Sequence, residues 1–319
     1  MSATPRPFRF IAPMPPVRDS LAAWRDELRR IEDLGYASIS VSEHVTPGWS
    51  LDAMGALLAI ADATRQIRVI SLVLSADLRH PVMLHKAAAT VDLLSGGRLE
   101  LGIGAGWLAD DARALGAEPQ TPASRVDRLA ETLEVLEALF LTDGPVTYHG
   151  RHVRVEGVVG EPHPVPRRRP PLLVGGGGRR VLELAARHAD IVGIHARLPT
   201  GSVETAPLDE YLPAALDAKV RHVAGSATAA GRDPRDLELQ FTAYAVDLEG
   251  QPPGGQGGFA RRVREDTSLA SGSPVRLAGS VDGCVEQLER WRDELGLSYW
   301  KLAGDPRVNA PIVDRLRGR

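Results

Sequence analysis

Apolar positions along this chain follow two rhythms that replace one another from end to end. Ile67 to Leu74 is almost wholly Val, Ile and Leu, which suits a strand covered on both faces. After the polar break Ser75-Ala76-Asp77, Pro81 opens a segment in which Leu84, Ala87, Ala88, Val91 and Leu94 recur at helical spacing. Ser95-Gly96-Gly97 stops that helix, and a second buried strand, Leu99 to Ile103, runs into Gly104-Ala105-Gly106. Strand, helix and strand at this spacing make one βαβ unit, whose crossover is nearly always right-handed.

The same alternation predicts the rest of the chain. Phe8 to Ala12 reads as a first strand, and Ser20 to Leu34 as an amphipathic helix with Leu21, Trp24, Leu28, Ile31 and Leu34 on one face, ended by Gly35. Ala37 to Val41 is strand two and Leu51 to Thr64 a small-residue helix. Beyond Trp107 an irregular excursion leads to a helix over Arg125 to Phe140, and Val146 to Val155 alternates about a glycine as a hairpin does. A short strand, Leu172 to Val174, precedes Gly175 to Gly178, a helix to His188 and a sixth strand, Ile191 to Ile194. Loop and helix fill Pro199 to Gly231, and Leu237 to Val246 is strand seven. Residues 251 to 258, QPPGGQGG, read as a flexible loop or lid. Helices at Ala260 to Ala270 and Val281 to Leu295, strand eight at Ser298 to Leu302 and a last helix at Asn309 to Arg317 complete the chain. Eight strands alternating with helices favour an α/β fold of the closed (β/α)8 type over an open doubly wound sheet, and 319 residues fit one such domain, 1–319.

Composition narrows the class. A net charge of -3 with charges of both signs well mixed leaves no basic stripe for nucleic acid. Cys284 is the sole cysteine, so no internal disulfide forms and a reducing compartment is implied. The N-terminus lacks the apolar core of a signal segment, and no window approaches the roughly 20 apolar residues of a membrane span. The expectation is a soluble cytoplasmic protein.

In a (β/α)8 barrel the chemistry sits where strands end. Strand two delivers Ser42, Glu43 and His44 there. A histidine near neutrality can give or take a proton, with Glu43 as the adjacent carboxylate that can tune or orient it. Gly175-Gly176-Gly177-Gly178 followed by Arg179-Arg180 joins a buried strand to a helix start. Glycines there admit a close ligand, the helix N-terminus offers free N–H groups, and Arg179 can fork onto a phosphate. The spacing is not a P-loop, because no Lys-Ser/Thr follows. Gly104-Ala105-Gly106-Trp107 is not a dinucleotide fingerprint either, since Asp110 and Asp111 arrive too early for the ribose acid. His195 ends strand six on the same face, and Trp49 and Trp107 are candidates for an aromatic wall in the mouth. His80, His85, His149, His152, His163 and His188 do not cluster like ligands, and no metal site is expected.

Taken together, EDLGY before Ser42-Glu43-His44, then RHP, LLSGGRLELGIGAGW, PPLLVGGGGRR and ADIVGIHA make nearly the whole chain resemble the luciferase-like flavin and deazaflavin oxidoreductases. It is most similar to the branch using coenzyme F420. The resemblance implies a deazaflavin (alternatively FMN) in the barrel mouth, against Leu72, Val73, Gly104, Ala105, Gly106 and Trp107, with Gly175 to Gly178 and Arg179 at its phosphate. It further implies His44 and Glu43 at the reacting centre, a homodimer, and a non-prolyl cis peptide at Leu72–Val73; Trp49 and His195 are placed beside substrate, or His195 beside the cofactor phosphate, by their position at the mouth. Arg168, Arg169, Arg179 and Arg180 are available to attract the acidic tail. Trp107 and Asp110 depart from the Glu and Asn usual there. The implied reaction is reduction of a C=C or C=N bond; an FMN monooxygenase and a non-catalytic barrel are the rivals.

Overall fold

The computed structural model describes residues 5–46, 48, 51–165, 169–198, 202–255, 257–269 and 272–319. In chain order its elements are β1 Arg9–Pro13, α1 Leu21–Asp33, β2 Ser38–Val41, α2 Ala53–Ala63, β3 Arg68–Ser71, β4 Leu74–Ser75, α3 Pro81–Leu94 and β5 Leu99–Gly104. There follow α4 Ala109–Ala114, α5 Pro122–Leu141, β6 Pro145–His149, β7 Arg154–Val159, β8 Leu172–Gly176, α6 Arg179–His188 and β9 Ile191–Ile194. The last are α7 Pro213–Ala229, β10 Glu238–Ala243, β11 Ala245–Leu248, α8 Gly258–Glu265, β12 Arg276–Gly279, α9 Val281–Leu295, β13 Leu297–Leu302 and α10 Pro306–Leu316.

All pairings of the main sheet are parallel, in the order β3-β2-β1-β13-β10-β9-β8-β5-β4, and pairing of β3 with β5 closes it into the expected (β/α)8 barrel. Period-two alternation splits each strand between two cores. Ile11, Ile70, Leu173, Ile191 and Tyr299 fill the lumen, while Phe10, Ile39, Val69, Val174, Phe241 and Trp300 face the helices. Below the lumen, Arg9 pairs with both Glu100 and Glu238 and lies 4.0 Å over the Tyr299 ring. Arg68 also binds Glu100, at 2.8 Å, and Tyr299 donates its hydroxyl to the same carboxylate at 2.6 Å. This charged layer occupies the N-terminal end of the barrel, leaving the C-terminal end as the mouth.

Four stretches differ from the sequence expectation. The apolar run Ile67 to Leu74 is two strands, because the Leu72–Val73 peptide is cis and breaks the ladder. Between the pairs Ile70↔Glu100 and Leu74↔Ile103 this chain takes four steps against three on β5, so one residue bulges. The expected seventh strand leaves the barrel after Ala243, and β11 pairs with the unanticipated β12 outside it. Residues 254 and 255 of the glycine-rich loop are tied down rather than loose. Gly254 bridges Val246, and Arg264 donates to the Gly254 and Gly255 carbonyls at 2.6 and 3.1 Å. The excursion after Trp107 contains α4, too short for a hydrophobic period to reveal. The hairpin β6–β7 forms as expected. Among the described residues no helix is long and apolar enough to cross a membrane, and no group of acidic, His and Cys side chains is arranged to hold a metal.

Candidate active site

His44 leaves the end of β2 and is nearly buried, as is its partner Asp111 on α4. The imidazole Nδ1 lies 2.7 Å from Asp111 Oδ2, while Asp111 Oδ1 accepts from Val45 N at 3.0 Å and Thr46 Oγ1 at 3.2 Å. A carboxylate on Nδ1 favours the tautomer with its proton on that nitrogen. Trp107 packs edge-on against the ring at 5.0 Å between centroids. The acid that orients His44 is therefore Asp111, not Glu43. Glu43 turns away to bind Arg79 Nε at 2.6 Å and Ser75 N at 3.0 Å, so it ties the exits of β2 and β4 together. Arg79 also binds Asp52, the cap of α2, at 2.5 Å. Asp110 lies on the exposed side of α4, paired with Arg113.

One wall of the mouth is a cradle of glycines around Val73. Ser42 Oγ donates to the Leu72 carbonyl at 2.9 Å, and Leu72 N donates to Val41 at 2.7 Å. Ser71 Oγ exchanges hydrogen bonds with the Gly102 backbone at 2.7 and 2.9 Å. A Cβ on Gly102 would lie 1.9 Å from the Ser71 carbonyl oxygen, and one on Gly104 or Gly175 would meet the Val73 methyls at 3.0 and 3.3 Å. The missing Cβ atoms at Gly102, Gly104 and Gly175 make room for the Ser71–Val73 bulge, whose Val73 methyls fill the space beside them. Ala105, half-buried, continues the β5 exit, and Gly106 turns with φ +75°, where a side chain would strike Ser75 and Asp77. Asp77 is held above the usual carboxylate range by burial, opposed by Arg125 at 3.9 Å, and its Oδ1 has no hydrogen-bond partner.

The second glycine run divides in two. A Cβ on Gly176 would meet Val181 at 2.6 Å and one on Gly177 the His195 carbonyl at 2.3 Å, so these two pack the strand against its neighbours. Gly178 has nothing within 4 Å of the place a Cβ would take, and it caps α6 without a side-chain hydrogen bond. No side chain therefore caps the first N–H groups of α6. Arg179 is exposed and makes no ion pair among the described residues. The other arginines expected near it are engaged or elsewhere. Arg180 pairs with Asp127, and Arg169 pairs with Asp190 at the N-terminal ends of β8 and β9, the wrong end of the barrel for a ligand in the mouth. Arg168 and Trp49 lie outside the described residues.

His195 ends β9 in the mouth, as expected. Its Nδ1 donates to the Ala196 carbonyl at 2.9 Å, so Nε2 accepts from the Tyr244 hydroxyl at 2.7 Å, with Tyr211 edge-on at 5.7 Å. Burial holds His195 below its ordinary value, and it stays neutral. Asp111, Tyr211, Tyr244 and Lys301 escaped the sequence reading. For Asp111 the signal was an acid pair in which only one member can face water; for Lys301 it was a single charge inside an otherwise uncharged strand, SYWKL.

A family model described as luciferase-like monooxygenase matches residues 7–298. The F420-dependent glucose-6-phosphate dehydrogenase of Amycolatopsis mediterranei is 29% identical over 291 residues, covering 87% of this chain and 79% of that protein. The 4-hydroxyprotoasukamycin monooxygenase of Streptomyces nodosus subsp. asukaensis is 37% identical over 144 residues, covering 43% of this chain and 38% of that one. Among solved structures, an F420-dependent secondary alcohol dehydrogenase bound to an F420-acetone adduct superposes with a TM-score of 0.75 at 16% identity, over 97% of this chain and 98% of its own.

Proposed function

The chain belongs to the luciferase-like monooxygenase family, and from that membership and the geometry of the mouth we propose that it is a coenzyme F420-dependent oxidoreductase that reduces a C=C or C=N bond of a small molecule. The observation that carries this reading is the glycine-seated bulge at Val73 set beside the His44–Asp111 pair. A flat ring would lie against the Val73 bulge that Gly104 and Gly175 seat, and the unpartnered Asp77 Oδ1 beside Gly106 is a ready acceptor for a cofactor hydroxyl. Leu72, Val73, Gly104, Ala105, Gly106 and Trp107 would hold the ring end, and the open helix start at Gly178 and Arg179 would hold the phosphate. When bound, the deazaflavin supplies the hydride.

The chain's own residues supply the rest. Asp111 fixes the His44 ring with Nδ1 protonated, and Nε2 is the nitrogen that would exchange a proton with the substrate as charge develops on it. Glu43 holds the mouth in shape through Arg79 and Ser75. Trp107 and the Tyr244–His195 pair wall the space and limit water.

Equilibrium titration of the purified protein with F420 and with FMN at equal salt tests this. Saturable F420 binding with FMN at least tenfold weaker is the expected result. A protein that purifies with stoichiometric FMN and ignores F420 is instead a monooxygenase of the kind its 37%-identical partial relative is named for.

A further inference from the structure

Lys301 lies on β13, two residues beyond Tyr299. Tyr299 packs in the lumen with Ile11, Ile70, Leu173 and Ile191, whereas Trp300 belongs to the outer core, so alternation puts Lys301 on the lumen side one layer nearer the mouth. Its register partners are Ile11 on β1 and Thr242 on β10. Gln240 Nε2 donates to Thr242 Oγ1 at 3.3 Å, so the neighbouring layer is polar but carries no charge. Among the described residues nothing accepts a hydrogen bond from the Lys301 ammonium group and no carboxylate pairs with it. The acids of the lumen, Glu100 and Glu238, are already held by Arg9 and Arg68 in the base layer. Burial alone pushes this ammonium down to about 8, with no charged neighbour contributing.

Lysines of surface strands keep their heads in water, and buried ones are ordinarily paired. Lys301 is half-buried in the lumen without a charged partner, so it carries a desolvation cost that an entering oxyanion would offset. The strand order says where such an anion would sit. Around the closed barrel β13 is four strands from β5 in either direction, through β1, β2 and β3 or through β10, β9 and β8. Lys301 therefore stands on the wall facing the glycine cradle of Gly102 and Gly104. A ring lying against the cradle would turn its other face toward Lys301.

We propose that Lys301 is the anchor for an anionic substituent of the substrate, a carboxylate or phosphate carried by the molecule that is reduced. This rests on the cofactor lying against the cradle, as proposed above. The same charge chemistry is present in the acidic tail of F420, and the test separates the two sources.

The protein loaded with F420, and separately without it, is titrated with inorganic phosphate and with benzoate, following tryptophan fluorescence and heat, in the unchanged protein and in Lys301→Met and Lys301→Arg. The expected result is saturable anion binding that weakens at least tenfold in Lys301→Met and is largely restored in Lys301→Arg, with the F420 Kd moving less than twofold in either. Lys301→Met should fold and melt no lower than the parent, because it removes a half-buried charge that no carboxylate pairs. Loss of F420 affinity in Lys301→Met as large as the loss of anion affinity would assign the lysine to the cofactor tail and overturn the proposal. Anion binding that is absent, or equal in all three proteins, would also overturn it. Should F420 itself fail to bind, the function proposed above falls, and the titration repeated on the protein loaded with FMN still reads Lys301.

Discussion

Asp111 reaches His44 at 2.7 Å from a position 67 residues further along the chain, and its second oxygen is spent on Val45 and Thr46. One carboxylate thus fixes both the turn that presents the histidine and the tautomer of its ring. Asp111→Asn preserves the size of the side chain and leaves an oxygen for Val45 N, but puts an NH2 group or a weaker acceptor against Nδ1. The expected result is a fall in kcat on the order of 10²-fold, the range of a mispositioned acid–base group, with KM little changed. Nitrogen NMR of the imidazole checks the same point without a substrate, since the parent should hold the Nδ1-protonated tautomer and the variant a mixture. An unchanged spectrum would remove Asp111 from this role.

Glu43 predicts a different signature. It bridges Arg79 and Ser75 N from a nearly buried position, so removing its charge breaks a partly buried pair and strands the guanidinium. Glu43→Gln should cost about 1–3 kcal/mol of stability, measured by urea unfolding. Its kcat should fall far less than that of Asp111→Asn. A catalytic collapse with unchanged stability would return Glu43 to the chemistry.

The glycines separate packing from binding. Gly102→Ala puts a methyl 1.9 Å from the Ser71 carbonyl oxygen, a contact backbone cannot yield to, and should leave little folded protein. Gly178→Ala meets nothing within 4 Å and has φ −82°, a conformation alanine adopts freely, so the melting temperature should hold or rise slightly. The same methyl would crowd a phosphate at the start of α6, and F420 affinity should fall about tenfold, on the order of one charge-assisted hydrogen bond. Equal affinity in parent and variant would place the phosphate elsewhere.

The barrel was legible because its strands are covered on both faces and its helices on one, and those two patterns survive in the order of residues. Where the chain breaks its own rhythm, the pattern alone said little. The Leu72–Val73 break is invisible in an apolar run that a plain strand would also use, and only the family resemblance located it. Proximity in sequence suggested Glu43 for His44, yet adjacent residues leaving a strand diverge, and Arg79 captured the nearer acid. Asp111 sits on a six-residue helix too short to show a period. Lys301 looked like an ordinary strand residue until the closed barrel put its side of β13 inside.

His85, which stands outside the mouth, gives a pH dependence of stability. It is 2% exposed on α3, its Nε2 has no hydrogen-bond partner, and its ring lies 4.4 Å from that of Phe140. Burial, with Lys86 and His163 adding to it, pushes it down from 6.5 to about 4. The folded protein therefore keeps His85 neutral at pH values where the unfolded chain already takes up a proton. Its contribution is whole above about pH 6.5 and is lost as pH falls toward about 4, below which both states are protonated, for a total of at most about 3 kcal/mol. Carboxylates titrate in the same acid range, so the parent's decline alone does not isolate the histidine. His85→Leu, which fills similar space without a titrating group, does. Urea unfolding at about pH 7 and at about pH 4.5 should show the stability difference between parent and variant shifting toward the variant by about 1–3 kcal/mol at the lower pH. A difference independent of pH would mean that His85 is protonated alike in both states and that the pocket beside Phe140 does not exclude its charge.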